Sequence, residues 1–137
     1  MSERAYNILE RAYKKSGPWI NTELGREDVP WPTFRAVNLI EKGGKPVGGY
    51  TDVEKRMVTL SAGEMDRLLG EEYPEPFVEN LAVSAFFHEL KHYKDLMKMT
   101  SEERAEFRRK YVEDPLYNHE FEQRALDYGI KWARTLR

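Results

Sequence analysis

The segment from Glu75 to Met99, EPFVENLAVSAFFHELKHYKDLMKM, constrains the fold most, because it carries the clearest helical pattern in the chain. Apolar and small side chains recur along it at spacings of three and four, the period of one helix face. Pro74 and Pro76 supply an N-terminal boundary, because proline suits the first turn of a helix and not its interior. The segment therefore predicts one long helix.

Helical spacing also predicts an N-terminal helix that ends at residues 16–18, Ser-Gly-Pro, followed by a loop rich in proline and tryptophan. Residues 34–61 alternate β-forming stretches with glycine-rich turns. They predict an antiparallel meander of about three short strands: FRAVNLI, VGGYTD and RMVTLS. A short helix or loop follows at residues 61–76.

Two more helices are predicted downstream. The first has Thr100 or Ser101 as its N-cap, Glu103 near the capping-box position and Pro115 at its end. The second runs from about Asn118 to the end of the chain. The predicted fold is α+β, a single domain over residues 1–137 in which a small antiparallel sheet packs with helices.

Composition narrows the classes of partner. The formal net charge is −2 and the pI is near 6.0, whereas a dedicated nucleic-acid-binding domain usually has a pI above about 9. The chain has no cysteine, which excludes disulfides and thiolate metal sites and fits a reducing cytoplasm. It has no apolar run of about 18 residues and no signal-peptide pattern at its N-terminus. We therefore expect a cytoplasmic protein with neither nucleic acid nor membrane as a partner.

Two of the three histidines, His88 and His92, flank Glu89 in the motif H-E-x-x-H. Residues four apart lie on one face of a helix, so both imidazoles can reach one zinc ion with bonds of about 2.0–2.1 Å. A carboxylate just after the first histidine is placed to act as a general base without becoming a ligand. Two solvated surface histidines are the alternative, but the helical, apolar context favours the metal site.

A catalytic zinc ion takes three protein ligands and leaves its fourth position to water. The third ligand is expected in the last helix, where the candidates are His119, Glu120, Glu122 and Asp127. Helices that share a metal ion approach within about 8–10 Å, so this ligand should lie on a face of small residues. Positions three, seven and eleven after Glu122 are alanine, glycine and alanine, whereas Glu120 heads a polar face. The pattern favours Glu122, one zinc per chain and a solvated Glu120.

The segments FFHELKHY and EFEQRALDYGIKWA resemble the minigluzincins, which are small gluzincin-type zinc metallopeptidases, and more loosely the ImmA/IrrE-type metallopeptidases. In these families a glutamate helix follows H-E-x-x-H, and its ligand precedes a small alanine by three residues, as Glu122 precedes Ala125. The resemblance implies a small sheet over the motif helix, with RMVTLS bordering the cleft and the glutamate helix behind.

The resemblance also implies a function. Zinc polarises the peptide carbonyl, Glu89 takes a proton from water, and an extended peptide or protein substrate pairs with the edge of RMVTLS. The small size of the chain is consistent with a latent or narrowly specific enzyme. An oxyanion donor is expected as well, and its candidates are Tyr111, Tyr117 and His119. Tyr93 is expected to pack in the core.

One position departs from the family pattern. These families often carry Asn or Asp four residues after the ligand glutamate, where this chain has Leu126. Another acid is then needed to orient a zinc histidine through its second ring nitrogen. The candidates are Asp95, Glu113 and Asp114, besides Asp127 in a shifted register.

Two other functions are compatible with the sequence. A zinc-binding regulatory or interaction module without proteolytic activity would close its site with a fourth protein ligand, for which His119 is the candidate. A helical interaction protein without metal would use the aromatic-rich surface that includes Trp19 and Trp31. A test for bound metal separates the helical interaction protein from the metallopeptidase and from the zinc-binding module.

Overall fold

The sequence folds into an α+β structure, as its pattern predicts. The computed structural model describes residues 2–38, 40–42 and 44–137. Its elements in chain order are α1 (Glu3–Arg26), β1 (Thr33–Val37), β2 (Ile40–Lys42), β3 (Lys45–Val47), β4 (Gly49–Asp52), β5 (Met57–Ser61), α2 (Ala62–Gly70), α3 (Glu75–Met97), α4 (Ser101–Glu113) and α5 (Pro115–Thr135).

Helix α1 continues through the residues predicted to end it. Pro18 lies inside the helix and removes one backbone hydrogen bond. The helix persists because residues on both sides of Pro18 are buried on the same side, Ala12 before it and Ile20 and Leu24 after it. Burying Ile20 and Leu24 contributes roughly 1.5–3 kcal/mol each, and together they offset the cost of about 3 kcal/mol for a proline inside a helix. The predicted loop is therefore confined to the few residues between α1 and β1.

The three-stranded sheet has the order β1-β5-β4 and is mixed. β4 and β5 pair antiparallel, as predicted, but β1 pairs with β5 in parallel, from Thr33 opposite Met57 to Val37 opposite Ser61. The antiparallel meander is wrong at this point because the predicted strand FRAVNLI divides. The last residue of FRAVNLI, Ile40, begins β2, which pairs with β3 in a separate two-stranded sheet. This hairpin lies between β1 and β4 in the sequence. Leu39 and Gly43 of the predicted strand and turn lie outside the described residues.

β5, which corresponds to RMVTLS, is the central strand of this sheet and does not border the cleft. Both of its sides are occupied, one by β1 and one by β4. Within the described part of the chain, β1 and β4 are the two edge strands of this sheet, and of these β4 lines the cavity. The predicted peptide-binding edge is therefore β4 and not β5, because a strand with neighbours on both sides cannot accept an added strand.

Helix α3 is the centre of the molecule and packs against α1, α5, β4 and β5. It begins after Pro74, which serves as its N-cap, and it buries a set of residues that face these elements. The most deeply buried are Val78, Ala82, Val83, Phe87, Leu90 and Tyr93. The Tyr93 hydroxyl donates to the carbonyl of Pro30 at 2.8 Å, so Tyr93 has the core position predicted for it.

Helices α3 and α5 run antiparallel, side by side. The Asn80 side chain near the start of α3 donates to the Ala133 carbonyl near the end of α5. Further along α3, the buried Lys94 ammonium contacts the Tyr128 hydroxyl at 3.0 Å and the Glu27 carboxylate at 2.6 Å. These contacts fix α5 and the end of α1 on α3. No helix among the described residues is long and apolar enough to cross a bilayer.

Helix α4 starts as its sequence predicts. Thr100 and Glu103 form a capping box, in which each side chain bonds to the backbone of the other residue. Helix α5 begins at Pro115, three residues before the predicted start, because the Asp114 side chain caps it by accepting from two backbone N–H groups. The short α4–α5 connection brings the last turns of α4 against the first turns of α5.

Candidate metal centre

The two histidines of H-E-x-x-H lie one turn apart on α3 and point to the same place. Their Nε2 atoms are 3.1 Å apart, and their rings are nearly perpendicular at 84° with centroids 4.8 Å apart. His92 is buried and His88 is half-buried. The helix thus presents two imidazole nitrogens toward one point, as the i, i+4 spacing requires.

Glu122 on α5 completes the group. Its Oε2 atom lies 3.2 Å from His88 Nε2 and 3.1 Å from His92 Nε2. Among the described residues, His88, His92 and Glu122 form a group whose ligand atoms lie within 4.8 Å of one another and could hold a metal ion. The other three candidates for the third ligand, His119, Glu120 and Asp127, are exposed and outside this group.

The close approach of α5 to α3 places Glu122 beside the histidines. Gly129, two turns after Glu122, lies so near Ser84 that an added Cβ would stand 2.5 Å from the Ser84 carbonyl oxygen. Ala125 and Ala133 on the same side of α5 are also buried. The small-residue face that predicted Glu122 from the sequence is therefore the face that contacts α3.

The three donor atoms form a triangle whose size suits a metal ion. With sides of 3.1–3.2 Å, its corners lie about 1.8 Å from their common centre. All three donor atoms are therefore within reach of one ion with bonds of about 2.0–2.2 Å, the lengths that zinc has to imidazole and carboxylate ligands. Without a metal ion, each Nε2 atom either donates a proton to Glu122 or turns a lone pair toward the carboxylate oxygen, so the three short contacts cannot all be satisfied as hydrogen bonds at once. The donor set fits a cation better than a set of hydrogen bonds.

Charge in this group is strongly coupled. Burial acts to raise the pKa of Glu122, but hydrogen bonds from His88, His92 and Tyr111 hold it well below its ordinary value. Burial acts to lower the pKa of His88, yet the hydrogen bond to Glu122 and the charges of Glu89 and Glu122 raise it. Glu122 is therefore a carboxylate at neutral pH, the form that binds a metal ion.

The acids predicted to orient a histidine have other partners. Asp95 accepts from Lys91, Asp114 caps α5 and Glu113 pairs with Arg109. That prediction is wrong, because these side chains are tied to their own helices. The ring of His92 instead stacks on Phe121, with centroids 4.6 Å apart and planes 16° apart. Its buried Nδ1 atom has no hydrogen-bond partner among the described residues.

Glu89 lies beside the group and under the edge strand β4. It is 6% exposed, and the Thr51 hydroxyl on β4 donates to its Oε1 atom at 3.0 Å. Gly49 makes room for it, since an added Cβ there would lie 2.8 Å from Glu89 Cγ. Burial raises the pKa of Glu89, and the charges of His92 and His88 and the bond from Thr51 offset part of this rise.

The sequence gives no signal for Thr51 and only an ambiguous one for Gly49. Sequence reasoning assigns the glycine pairs to turn or bulge positions. Gly49 instead lies within β4, where an isolated glycine can also mark a close approach of another group. To interpret Gly49 as such a close approach, one must know that β4 crosses α3 at Glu89, which the sequence does not indicate.

A cavity of about 840 Å³ opens above the group. Residues of β4, α4, α3 and α5 line it, among them His88, Glu89, His92 and Glu122. Small and apolar side chains, including Leu81, Ala85 and Leu126, also line the cavity. Arg104 and Glu54 lie in its lining and form an ion pair with a nitrogen–oxygen distance of 3.5 Å.

The three candidate oxyanion donors have different positions. Tyr111 lines the cavity, and its hydroxyl donates to Glu122 Oε1 at 2.5 Å. Tyr117 packs on Phe107 and lies outside the cavity lining. His119 is exposed and also outside the lining, so it does not close the group as a fourth ligand in this structure.

Comparison with known proteins adds no relative. The chain matches no protein-family model, and no curated protein and no solved structure matches it. The proposed function therefore rests on the geometry of this site.

Proposed function

We propose that this chain is a zinc-dependent metallopeptidase of the gluzincin kind, similar to the minigluzincins. The observation that carries the proposal is the convergence of His88 Nε2, His92 Nε2 and Glu122 Oε2 at 3.1–3.2 Å beside the buried carboxylate of Glu89, under a large cavity. Two histidines and one carboxylate are a typical ligand set of a catalytic zinc ion. The three ligands leave room for a fourth, non-protein ligand.

When bound by these residues, zinc would act as a Lewis acid that lowers the pKa of water and polarises a carbonyl oxygen. Glu89 would accept the proton of the attacking water at its carboxylate and donate it to the departing amine. Its pKa is raised by burial, which brings it closer to neutral pH and improves it as a base. Thr51 and Gly49 fix the position of this carboxylate from above.

The shape of the cavity supports an extended peptide as the substrate. β4 borders the cavity along residues 49–52 and, in the described part of the chain, β5 is its one strand neighbour. A peptide can add to such an edge as a further strand through main-chain hydrogen bonds, which requires no particular side chains. Side-chain selection would then come from the small and apolar residues that line the cavity, which include Leu81, Ala85 and Leu126.

The experiment replaces Glu89 by glutamine, which keeps the size of the side chain and its capacity to accept from Thr51. We expect Glu89→Gln to retain zinc and the wild-type melting temperature. It should lose cleavage of any peptide that the wild-type protein cuts, by about 10²–10⁴-fold, the usual contribution of a general base. Glu120→Gln, the same change at an exposed residue two positions before Glu122, is the control and should leave cleavage unchanged.

Zinc content is measured by elemental analysis of protein purified without a histidine tag, and cleavage by mass spectrometry of a mixed peptide library. Undiminished cleavage by the zinc-loaded Gln variant would remove Glu89 from the mechanism. Zinc binding by a wild-type protein that cuts no library peptide and not itself would favour a zinc-binding regulatory module instead.

A further inference from the structure

The two oxygen atoms of Glu122 have different partners. Oε2 faces His88 and His92 at 3.2 and 3.1 Å, whereas Oε1 accepts the hydroxyl of Tyr111 at 2.5 Å. Tyr111 lies on α4, eleven residues before Glu122, and reaches it across the α4–α5 connection. The carboxylate is thus held from both sides, with one oxygen toward the histidines and one toward a phenol.

Tyr111 is itself firmly placed. Its ring contacts Phe107 one turn earlier on α4 and meets Phe121 edge-on, with centroids 5.6 and 5.9 Å away. The Asn118 side chain donates to the Tyr111 carbonyl oxygen at 3.1 Å, which ties the end of α4 to the start of α5. A carboxylate oxygen can only accept a hydrogen bond, so the Tyr111 hydroxyl is the donor in its contact with Glu122.

We infer that Tyr111 is a positioning residue whose hydroxyl holds Oε1 of Glu122 in a hydrogen bond, so that only Oε2 is left for the metal ion. The inference rests on the proposed metal site. An unrestrained carboxylate can turn and bind a cation through both oxygens, which would occupy the position that a catalytic site keeps for water. A hydrogen bond to the outer oxygen prevents this rotation, because the phenol and a second metal bond compete for the same atom.

This role replaces the oxyanion role considered from the sequence. The Tyr111 hydroxyl has one proton to donate, and in this structure the proton goes to a negatively charged oxygen. A charge-assisted bond of this kind is stronger than one to a neutral carbonyl. The aromatic contacts of Tyr111 with Phe107 and Phe121 hold it in the same position.

The experiment compares Tyr111→Phe with Tyr117→Phe. Both variants lose one hydroxyl from a half-buried tyrosine whose ring contacts Phe107, but only Tyr111 contacts Glu122. Zinc affinity is measured by competition with a chromophoric chelator. Coordination number is measured from the visible absorption of the Co²⁺-loaded protein, which is intense for four ligands and weaker for five.

We expect Tyr111→Phe to bind zinc about 10–100-fold more weakly, the usual effect of removing the partner of a metal ligand. Its Co²⁺ spectrum should change from the four-coordinate to the five-coordinate type, whereas Tyr117→Phe should match the wild type in both measurements. A Co²⁺ spectrum and a zinc affinity unchanged by Tyr111→Phe would overturn the inference and leave the metal site standing. A wild-type protein that binds neither metal would overturn both.

Discussion

The contact between Gly129 and Ser84 offers a test of how the two helices bring the metal ligands together. Gly129→Ala adds one methyl group to α5 where its backbone lies close against Ser84 of α3. The new Cβ would lie 2.5 Å from the Ser84 carbonyl oxygen and 3.0 Å from its hydroxyl. Carbon and oxygen in contact are normally about 3.3–3.6 Å apart, so α5 must move outward by on the order of 1 Å.

The magnitude follows from two opposing effects. Overpacking a close contact costs about 1–3 kcal/mol, and the upper end applies here because a backbone carbonyl cannot rotate away. Alanine favours the helix over glycine by about 1 kcal/mol. We therefore expect Gly129→Ala to lower the free energy of unfolding by about 2 kcal/mol, or the melting temperature by roughly 5–10 °C for a chain of this length.

The same shift should reach the metal site. Glu122 lies two turns from Gly129 on α5, and metal–ligand distances are restricted to within about 0.2 Å. Zinc affinity should therefore fall together with stability. Gly25→Ala in the last turn of α1 is the control, because an added Cβ there meets no atom within 4 Å. It should leave zinc affinity unchanged and keep or raise stability by up to about 1 kcal/mol.

Unfolding is followed by circular dichroism in urea, with zinc and with excess chelator, and zinc affinity by chelator competition. The reasoning fails if Gly129→Ala is as stable as the wild type and binds zinc equally well. It also fails if Gly25→Ala destabilises the protein to the same extent, since the loss of stability would then not depend on the close contact with Ser84.

Two further predictions concern the metal ion. Glu122→Ala should lose most of the zinc while Glu120→Ala keeps it, because Glu122 faces the histidines and Glu120 faces solvent. Zinc content is measured by elemental analysis, and the reverse result would show that Glu122 is not the third ligand. Chelation should lower the melting temperature and leave the helical far-UV signal at room temperature, and loss of that signal would identify a structural zinc domain.

The parts of this structure that sequence reasoning predicts are those controlled by local pattern. The capping box of α4 depends on residues three apart, and the i, i+4 histidines depend on one helix turn. Glu122 was predictable because a single helix face, with Ala125 and Gly129, had to meet α3. Each of these predictions needs only the geometry of one regular element.

The incorrect predictions depend on contacts between distant segments. The parallel pairing of β1 with β5 joins residues about 24 apart, with the β2–β3 hairpin and β4 between them, and no turn signal specifies such a pairing. The continuation of α1 through Pro18 depends on burial of Ile20 and Leu24 against the core. In both cases tertiary packing outweighs the structural preference of the local sequence.

The arrangement of the site separates the three residues that could hold a metal ion from the groups that orient them. His88, His92 and Glu122 lie on α3 and α5, which pack against each other, whereas the hydroxyls that contact Glu122 and Glu89 come from α4 and β4. The core residues of α1, α3 and the sheet make no use of a metal ion. Because the core cluster includes none of His88, His92 and Glu122, we expect it to remain when the ion is removed and to hold these three residues close together before metal binds. A site that is already assembled in this way loses little conformational freedom on binding, which favours high affinity without a folding transition.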